Sequence, residues 1–548
     1  MRDDDGGSLL DACTRALHRA FPLEDAGRVR IDTLFSRPRT VRSLYPLAHI
    51  HPTDAHASKA SDAPTVYQEH VVVTASWTPD GGEARMMYAL ESYVYTLPAC
   101  GAGLLYVSKL DSTGYAPRAV AERAALPDTY RDAPSLATAL TSAAVTYFAS
   151  RAHWRASPHI THVSVHVLAR AQAAYLFPSS PEHPAKRVLS DAALIRWWQA
   201  CLSESITHLH AAQPTDLVAA YYVIPGYSRL DAHPIVPLVA PDATHAPGSR
   251  GAKVRDARWT YGEPYTRNDG AAADAPPPTS LPLHAHASER RCIHGNDAQH
   301  AYSLATLVPV FPDDPKGRFI NELCASAHEP GKRTGEPGAG VSSAHRDAMA
   351  ERQTLDRTGV RWFWESMGFR QECSSGNAVG VFFVGVTRPH DGETANAADA
   401  RPEGTAAGAA APATDASAPT DASAPADAPG ASRRAPPAAQ PGALPHTMLE
   451  DLVVKYLLQD SCRWADAAEA VHLTRHFYEA LDRATRRRLT GESAPDPGQG
   501  VLWATVPLSA VPPAVRAAGK RAADAHGPSD AAANAPVRVL SVKRKRRS

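Results

Sequence analysis

The sequence predicts an α+β fold, a central mixed and largely antiparallel β-sheet surrounded by helices. Three observations carry that reading. Residues 66 to 107 alternate in three successive stretches with short turns between them, as an antiparallel meander does. The longest apolar run, Val379 to Val386, has eight residues and contains glycines, which suits a buried strand and falls far short of a bilayer span. Between and after these strands lie segments with helical periodicity, so neither an all-β nor an all-α chain fits.

The elements follow in order. Glu69 to Trp77, Met86 to Tyr95 and Gly103 to Ser108 are the three strands, and Pro79-Asp-Gly-Gly82 is a hairpin-type turn between the first two. Ser135 to Arg151 is Ala-rich and helical, and His162 to Leu168 is a further strand. Ser190-Asp191 opens a helix through His210 in which Leu194, Trp197, Trp198, Cys201 and Leu202 form one broad apolar stripe. Leu217 to Pro225 and Leu307 to Val310 read as strands, and a Trp/Phe-rich helix is expected near Trp362-Phe-Trp364. Met448 to Leu489 has helical periodicity through Leu449, Leu452, Val453, Tyr456, Leu457, Val471, Leu473, Phe477 and Leu481.

The 548 residues are therefore expected to divide into a core over 1–390, carrying loop insertions at 241–297 and 325–346, and three further parts that follow from composition. The first insertion surrounds a short aromatic island, Arg258 to Tyr265. Residues 391–445 are Ala/Pro/Asp/Thr-rich, with a tandem Thr-Asp-Ala-Ser-Ala-Pro, and cannot bury enough apolar surface to offset ordering entropy, so a disordered linker is expected. The helices of 446–490 are expected to pack back on the core, and 491–548 reads as a disordered tail with a basic end, Lys543 to Arg547, of the nuclear-import kind.

Basic and acidic residues balance at 57 each, which excludes a global field of the sort that binds nucleic acid or membrane. The polar, acidic start shows no secretory signal, and seven cysteines without CxxC spacing point to reduced thiols inside the cell. His284, His286, Cys292, His294 and His300 lack the paired spacing of a zinc site, so no metal is expected. Neither a GxSxG elbow, a Walker loop nor a dinucleotide fingerprint is present.

The densest chemistry is in Phe311-Pro-Asp-Asp-Pro-Lys-Gly-Arg-Phe319, where two carboxylates, a lysine and an arginine fall at a helix start. Asp314 followed by Pro315 is an N-cap and first-turn pair, because the carboxylate accepts orphan N–H groups and proline has none to leave unpaired. A well-capped helix explains the segment by itself. Its company suggests more. In chain order come Ala89-Leu-Glu-Ser-Tyr-Val-Tyr95, Val107-Ser-Lys-Leu-Asp-Ser-Thr-Gly-Tyr115, Tyr175-Leu-Phe-Pro178 leading through Lys186-Arg-Val-Leu189 to Arg196-Trp-Trp198, then this segment, then Phe363-Trp364 to Arg370-Gln-Glu372. Together they resemble the fungal histone H3 lysine 56 acetyltransferases, relatives by fold of the CBP-type acetyltransferases, over residues 66 to 390 and more weakly over 448 to 489.

The resemblance implies a CBP-like acetyltransferase fold and a nuclear enzyme that moves acetyl from acetyl-CoA to lysines of histone H3, lysine 56 and tail lysines. It implies stimulation by chaperones of the anti-silencing and nucleosome-assembly-protein types that present H3–H4, and a part in replication-coupled nucleosome assembly and genome stability. No membrane or direct nucleic-acid partner is expected. By the same resemblance Leu110, Asp111 and Ser112 form the first cofactor loop with Arg118 beside it. Leu168 and Gln172 line the pantetheine path, and Arg187, Val188 and Leu189, with Lys186 nearby, take the distal portion. Trp197 packs on the cofactor and Trp198 walls the channel for the substrate lysine. Asp314, with Asp313 next to it, accepts the proton or orients the amine, Lys316 is the autoacetylated position, and Arg318 pairs with Asp111 or Asp313. Two other readings remain open at this point: a non-catalytic scaffold for histone–chaperone complexes, and a nucleic-acid binder acting through the basic tail.

Overall fold

A computed structural model describes residues 7–18, 23–48, 50, 65–120, 126, 133–236, 250–262, 264, 304–328, 343–370, 377–388, 436–489 and 503–509. Ten strands make one sheet: β1 Gly27–Phe35, β2 Arg39–Val41, β3 Val66–Pro79, β4 Arg85–Leu97, β5 Ala102–Ser112, β6 His162–Arg170, β7 Leu217–Val223, β8 Thr260–Tyr261, β9 Val379–Thr387 and β10 Trp503–Leu508. Their order across the sheet is β10-β1-β3-β4-β5-β6-β9-β7-β8, with β2 on β3. The β5–β6 and β7–β8 pairs are parallel and the rest antiparallel. A parallel neighbour requires a crossover, and helix α2, Leu136–Ala149, supplies the one from β5 to β6.

Alternation along each strand divides the core in two. On the first face Val71 and Val73 of β3, Leu90 and Val94 of β4, Leu105 and Val107 of β5, and Val163, Val165 and Val167 of β6 join one cluster. It is covered by α1 (Leu9–Leu17), α2 and α3 (Asp191–Ala212), whose caps Ser8, Ser135 and Ser190 each accept a first-turn N–H. The second face carries the alternate residues. Tyr95 and Tyr106 pack with Phe311, and Val381 and Phe383 pack with α4 (Pro315–Ser326), α5 (Ser343–Arg357) and α6 (Val360–Met367). Leu34, Val72, Met86 and Ala89 pack with α7 (His446–Val453) and α8 (Ala467–Leu489). Leu449, Leu457 and Phe477 are fully buried there, each stabilising the fold by about 1.5–3 kcal/mol, so this face is closed by residues that lie beyond the Ala/Pro-rich stretch.

Several elements differ from expectation. Leu307 to Val310 is not a strand: Leu304–Leu307 is one helical turn, and the chain then runs extended, with only the Val310 N–H reaching across to Leu44 O. Pro309 cannot donate to a ladder, so the segment packs on the sheet's face instead of joining it. Within the expected tail, Trp503–Leu508 is an edge strand paired antiparallel with β1, and Pro507 suits a strand that has a partner on one side only. Residues 436–445 belong to the core rather than the linker, since Leu444 is buried and exchanges backbone hydrogen bonds with Phe35 and Arg37. Three elements with no expected counterpart, α1, β1 and β2, lie before Val66.

Within the first insertion, Arg250–Asp256 is helical and Trp259 is buried with its indole N–H on Ser203 Oγ at 2.8 Å. In the second, 325–326 finish α4, 327–328 turn out of it and 343–346 begin α5. The rest of both insertions, with the histidines of 284–300, residues 391–435 and the basic end, lies outside the described residues. Among the described residues no helix is long and apolar enough to cross a membrane.

Candidate active site

Asp111 ends β5 on the second face, paired across the ladder with Ala89. Its carboxylate is almost fully enclosed and holds a loop in place: Oδ2 accepts the N–H groups of Tyr175 at 2.8 Å and Leu176 at 3.1 Å, and Oδ1 accepts the Lys186 ammonium at 2.8 Å. Lys186 also donates to Ser180 Oγ at 2.7 Å. Burial pushes the Asp111 carboxyl up, opposed by Lys186 and the two backbone donors. The turn after Asp111 must pass very close to this loop. Gly114 has φ +102, and a Cβ there would sit 2.4 Å from His183 Nδ1, so only glycine fits.

The second charge pair lies at the start of α4. Asp314 caps the helix by accepting the Lys316 N–H at 3.0 Å, and the Lys316 ammonium returns to its other oxygen at 2.5 Å. Both side chains are buried, at 0% and 3% exposure. Phe311 leads into this turn, stacking on Tyr106 at 4.4 Å between ring centroids with Tyr95 at 5.6 Å and His166 at 5.2 Å. Burial and the Lys316 charge push His166 down to about 3, so its imidazole is neutral. Asp313 is exposed and takes a left-handed conformation, φ 56, which an aspartate tolerates better than most residues and which swings the chain into the capped helix.

Between the two pairs the sheet carries a third polar group. Glu91 accepts from Lys109 Nζ at 2.7 Å and pairs with His70 Nε2 at 2.9 Å, with the Tyr93 hydroxyl 3.5 Å from the same carboxylate. Burial works to raise the Glu91 carboxyl, but the His70 hydrogen bond and the Lys109 charge together hold it down at about 2. The register shifts beside Glu91, where Ser108 is the extra residue on β5. Such a bulge re-aims the side chains that follow it. None of these residues carries an individual signal in the sequence, although Glu91, Tyr93 and Tyr95 stand at i, i+2 and i+4 of an expected strand and so share a face.

The second face carries Asp111, Lys186, Asp314 and Lys316, with Asp313 in the exposed turn before α4 and Leu168 of β6 packed beside α4, whereas Ser112, opposite Tyr88, alternates to the first face. Arg187 and Val188 are exposed and Leu189 half-buried on the extended run between the Lys186 pair and the α3 cap, while Gln172 is exposed just past β6. Other expectations are corrected. Trp198 belongs to the Ile195, Leu202 and Ile206 stripe of α3 and is buried against the opposite face, and Trp197 packs edge-on against it at 5.0 Å in the same cluster. Trp198 is thus core, as a tryptophan on the apolar stripe of an amphipathic helix usually is, and Trp197 is half-buried at its edge. Leu110 turns toward that core as well, since it alternates with Asp111. Lys186 is committed to Asp111, which also means that Asp111 pairs with Lys186 and not with Arg318. Arg118 is a surface residue whose partners are Asp25 at 3.1 Å and Glu24 at 3.7 Å. Among the described residues there is no group of three metal-ligating side chains.

Residues 135–430, more than half of the chain, match the family model described as the histone acetyltransferase KAT11-type domain. The chain is similar to histone acetyltransferase rtt109 of Aspergillus flavus, 26% identical over 349 residues that make up 60% of this chain and 50% of that protein. It is also similar to histone acetyltransferase rtt109 of Schizosaccharomyces pombe, 24% identical over 231 residues, 40% of each chain. The match thus spans about half the length of these curated relatives or less. Among solved structures, Rtt109 from Aspergillus fumigatus superposes with a TM-score of 0.54 at 19% identity, over 92% of this chain and 99% of that one, which establishes the shared fold. Buried carboxylate–lysine pairs on one sheet face, the shared fold and the domain match agree: the chain belongs to the KAT11-type histone acetyltransferase family.

Proposed function

We propose that this protein transfers the acetyl group of acetyl-CoA to lysine side chains of histone H3, at lysine 56 and at tail lysines. H3–H4 would be presented by chaperones of the anti-silencing and nucleosome-assembly-protein types, in the nucleus, during replication-coupled nucleosome assembly. The observation that carries the reading is the placement of the Asp111–Lys186 and Asp314–Lys316 pairs on one face of one sheet, in a chain of this family.

The residues divide the work by what they can reach. Asp111 orders the backbone from Tyr175 to Lys186, so that the exposed run Arg187 to Leu189 presents a cation and apolar surface where the distal part of acetyl-CoA would lie. Leu168 and Gln172 border the path of the pantetheine arm. Asp314 is fully enclosed and already holds Lys316, which suits it to fixing the turn and the lysine beside the reacting atoms. Acetylation of Lys316 would remove the cation that Asp314 is built around and free the carboxylate.

The test uses the full chain, labelled acetyl-CoA and H3–H4 with and without each chaperone class, with acetylated lysines mapped by mass spectrometry. Label on H3 lysine 56 and tail lysines, increased by a chaperone, is the expected result. Calorimetric binding of the chaperone–histone complex without affinity for acetyl-CoA would instead establish a scaffold.

A further inference from the structure

The two buried charge pairs share a face of the sheet without touching. Asp111 lies opposite Ala89, whereas Phe311, at the entry to the Asp314 turn, stacks on Tyr106, which lies opposite Tyr93. From Ala89 to Tyr93 is about 14 Å of strand at ~3.4 Å per residue. The side chains that β4 presents on this face over that interval are Glu91 and Tyr93, with Lys109 opposite Glu91 on β5 and His70 beside it on β3. A thioester held from the Asp111 side and an amine held at the Asp314 side would therefore meet above Glu91 and Tyr93.

Asp314 is poorly placed to take the amine's proton, because its carboxylate is fully enclosed and engaged by the Lys316 side chain and backbone. The polar floor has what Asp314 lacks. Tyr93 is partly exposed, and its hydroxyl reaches Glu91 Oε1, which reaches His70 Nε2. The two rings are stacked at 4.8 Å, and His70 turns its Nε2 to the Glu91 carboxylate, which orients the imidazole. The groups facing this relay are Tyr95 on β4, Lys109 and Tyr106 on β5, Gln68 on β3, Arg39 on β2, His446 and Glu450 on α7, and Asp313 from the turn before α4.

We propose that Tyr93 is a catalytic residue of the acetyl transfer, passing the proton of the incoming lysine ammonium to the Glu91–His70 pair. The inference rests on the acetyl-transfer reading above. The ammonium gives one proton to the Tyr93 oxygen as the Tyr93 proton passes by way of Glu91 to His70 Nε2, which leaves Glu91 a carboxylate paired with the imidazolium. The free amine then forms its C–N bond to the thioester carbon, the C–S bond breaks, and the leaving thiolate takes the second proton from the nitrogen. Lys109 is a positioning residue that holds Glu91 beneath the phenol.

The experiment measures kcat and KM for the full chain on H3–H4 with acetyl-CoA across pH 6 to 9.5, for wild type, Tyr93→Phe and Lys109→Met, with acetyl-CoA affinity measured in parallel. Tyr93→Phe keeps the ring stack on His70 and removes only the hydroxyl. The expected result is a kcat lowered by about 10²-fold near neutral pH, the range of one general acid–base group, with acetyl-CoA affinity retained. The deficit shrinks toward high pH, where the substrate amine, with a pKa of about 10.4, sheds its proton unaided. Lys109→Met is expected to shift the acid limb of the wild-type profile. A Tyr93→Phe enzyme with wild-type kcat, or with the same fractional loss at every pH, overturns the relay while leaving acetyl transfer intact. A wild-type chain that binds acetyl-CoA and histone yet transfers nothing overturns both readings.

Discussion

Asp111 and Lys186 are 75 residues apart in the chain, and their charged atoms meet at 2.8 Å inside the protein. The pair fastens the loop that follows β6 to the end of β5, and so connects two segments that β6 and the α2 crossover separate in sequence.

Breaking that pair from one side leaves the other charge buried without compensation. Asp111→Asn or Lys186→Met alone is expected to cost about 3–5 kcal/mol of unfolding free energy. The double variant, which removes both charges, is expected to recover a good part of it. Urea denaturation of the four proteins closes the cycle. Single and double variants of equal stability would show that the two residues do not act as a unit.

The same argument applies to Lys316, with a functional reading attached. Lys316→Gln, which mimics the acetylated side chain, leaves Asp314 enclosed and unpaired and is expected to lower stability by a few kcal/mol. Lys316→Arg keeps the charge and is expected to lose less. Thermal unfolding of the two variants distinguishes charge loss from a change of shape.

At the far edge of the sheet the guanidinium of Arg30 is sandwiched between Tyr478 of α8, at 3.8 Å from the ring centroid, and Trp503 of β10, at 4.5 Å. Trp503→Ala is expected to cost about 0.5–1 kcal/mol, the worth of a cation–π contact at a partly exposed site. Amide exchange should quicken in β10 and the paired residues of β1 and remain slow in β4 and β5. Exchange that quickens uniformly would mean that β10 is not a separate, detachable strand.

Acid should destabilise the fold earlier than carboxylates alone would. His166 is held at about 3 against an unfolded value near 6.5, so between those values the unfolded chain binds a proton that the folded one refuses. Its contribution is complete above about pH 6.5 and is lost as pH falls toward 3, at about 1.4 kcal/mol per unit. Glu91, depressed to about 2, adds a further loss only below its unfolded value of about 4.3. The slope of unfolding free energy between pH 6 and 4 should flatten in His166→Gln.

Much of this architecture can be read from the chain and some of it cannot, for physical reasons. The meander, α2, α3 and β9 declare themselves through period, caps and turn residues, which are local properties. The Asp314 cap is local too, and the Asp-Pro dipeptide announces it. Which face of the sheet a helix covers is not local. The stripe containing Trp198 looks identical whether it lines a channel or a core, and only the pairing of β6 with β5 and β9 places it on the side away from Asp314. Lys186 could not be distinguished from a solvated cation, because its partner is 75 residues away. Trp503 to Leu508 offered six residues of weak alternation containing a proline, and β1 alone makes them a strand.

The central claim is that a lysine and a thioester meet on the face that carries both carboxylate–lysine pairs. The most direct measurement is a single-turnover reaction of the full chain with labelled acetyl-CoA and chaperone-presented H3–H4. The account predicts stoichiometric label on H3 lysine side chains, with a rate that falls at least tenfold in Lys316→Gln at unchanged acetyl-CoA affinity. Label that never leaves acetyl-CoA although both substrates are bound, or a rate indifferent to Lys316, would contradict it.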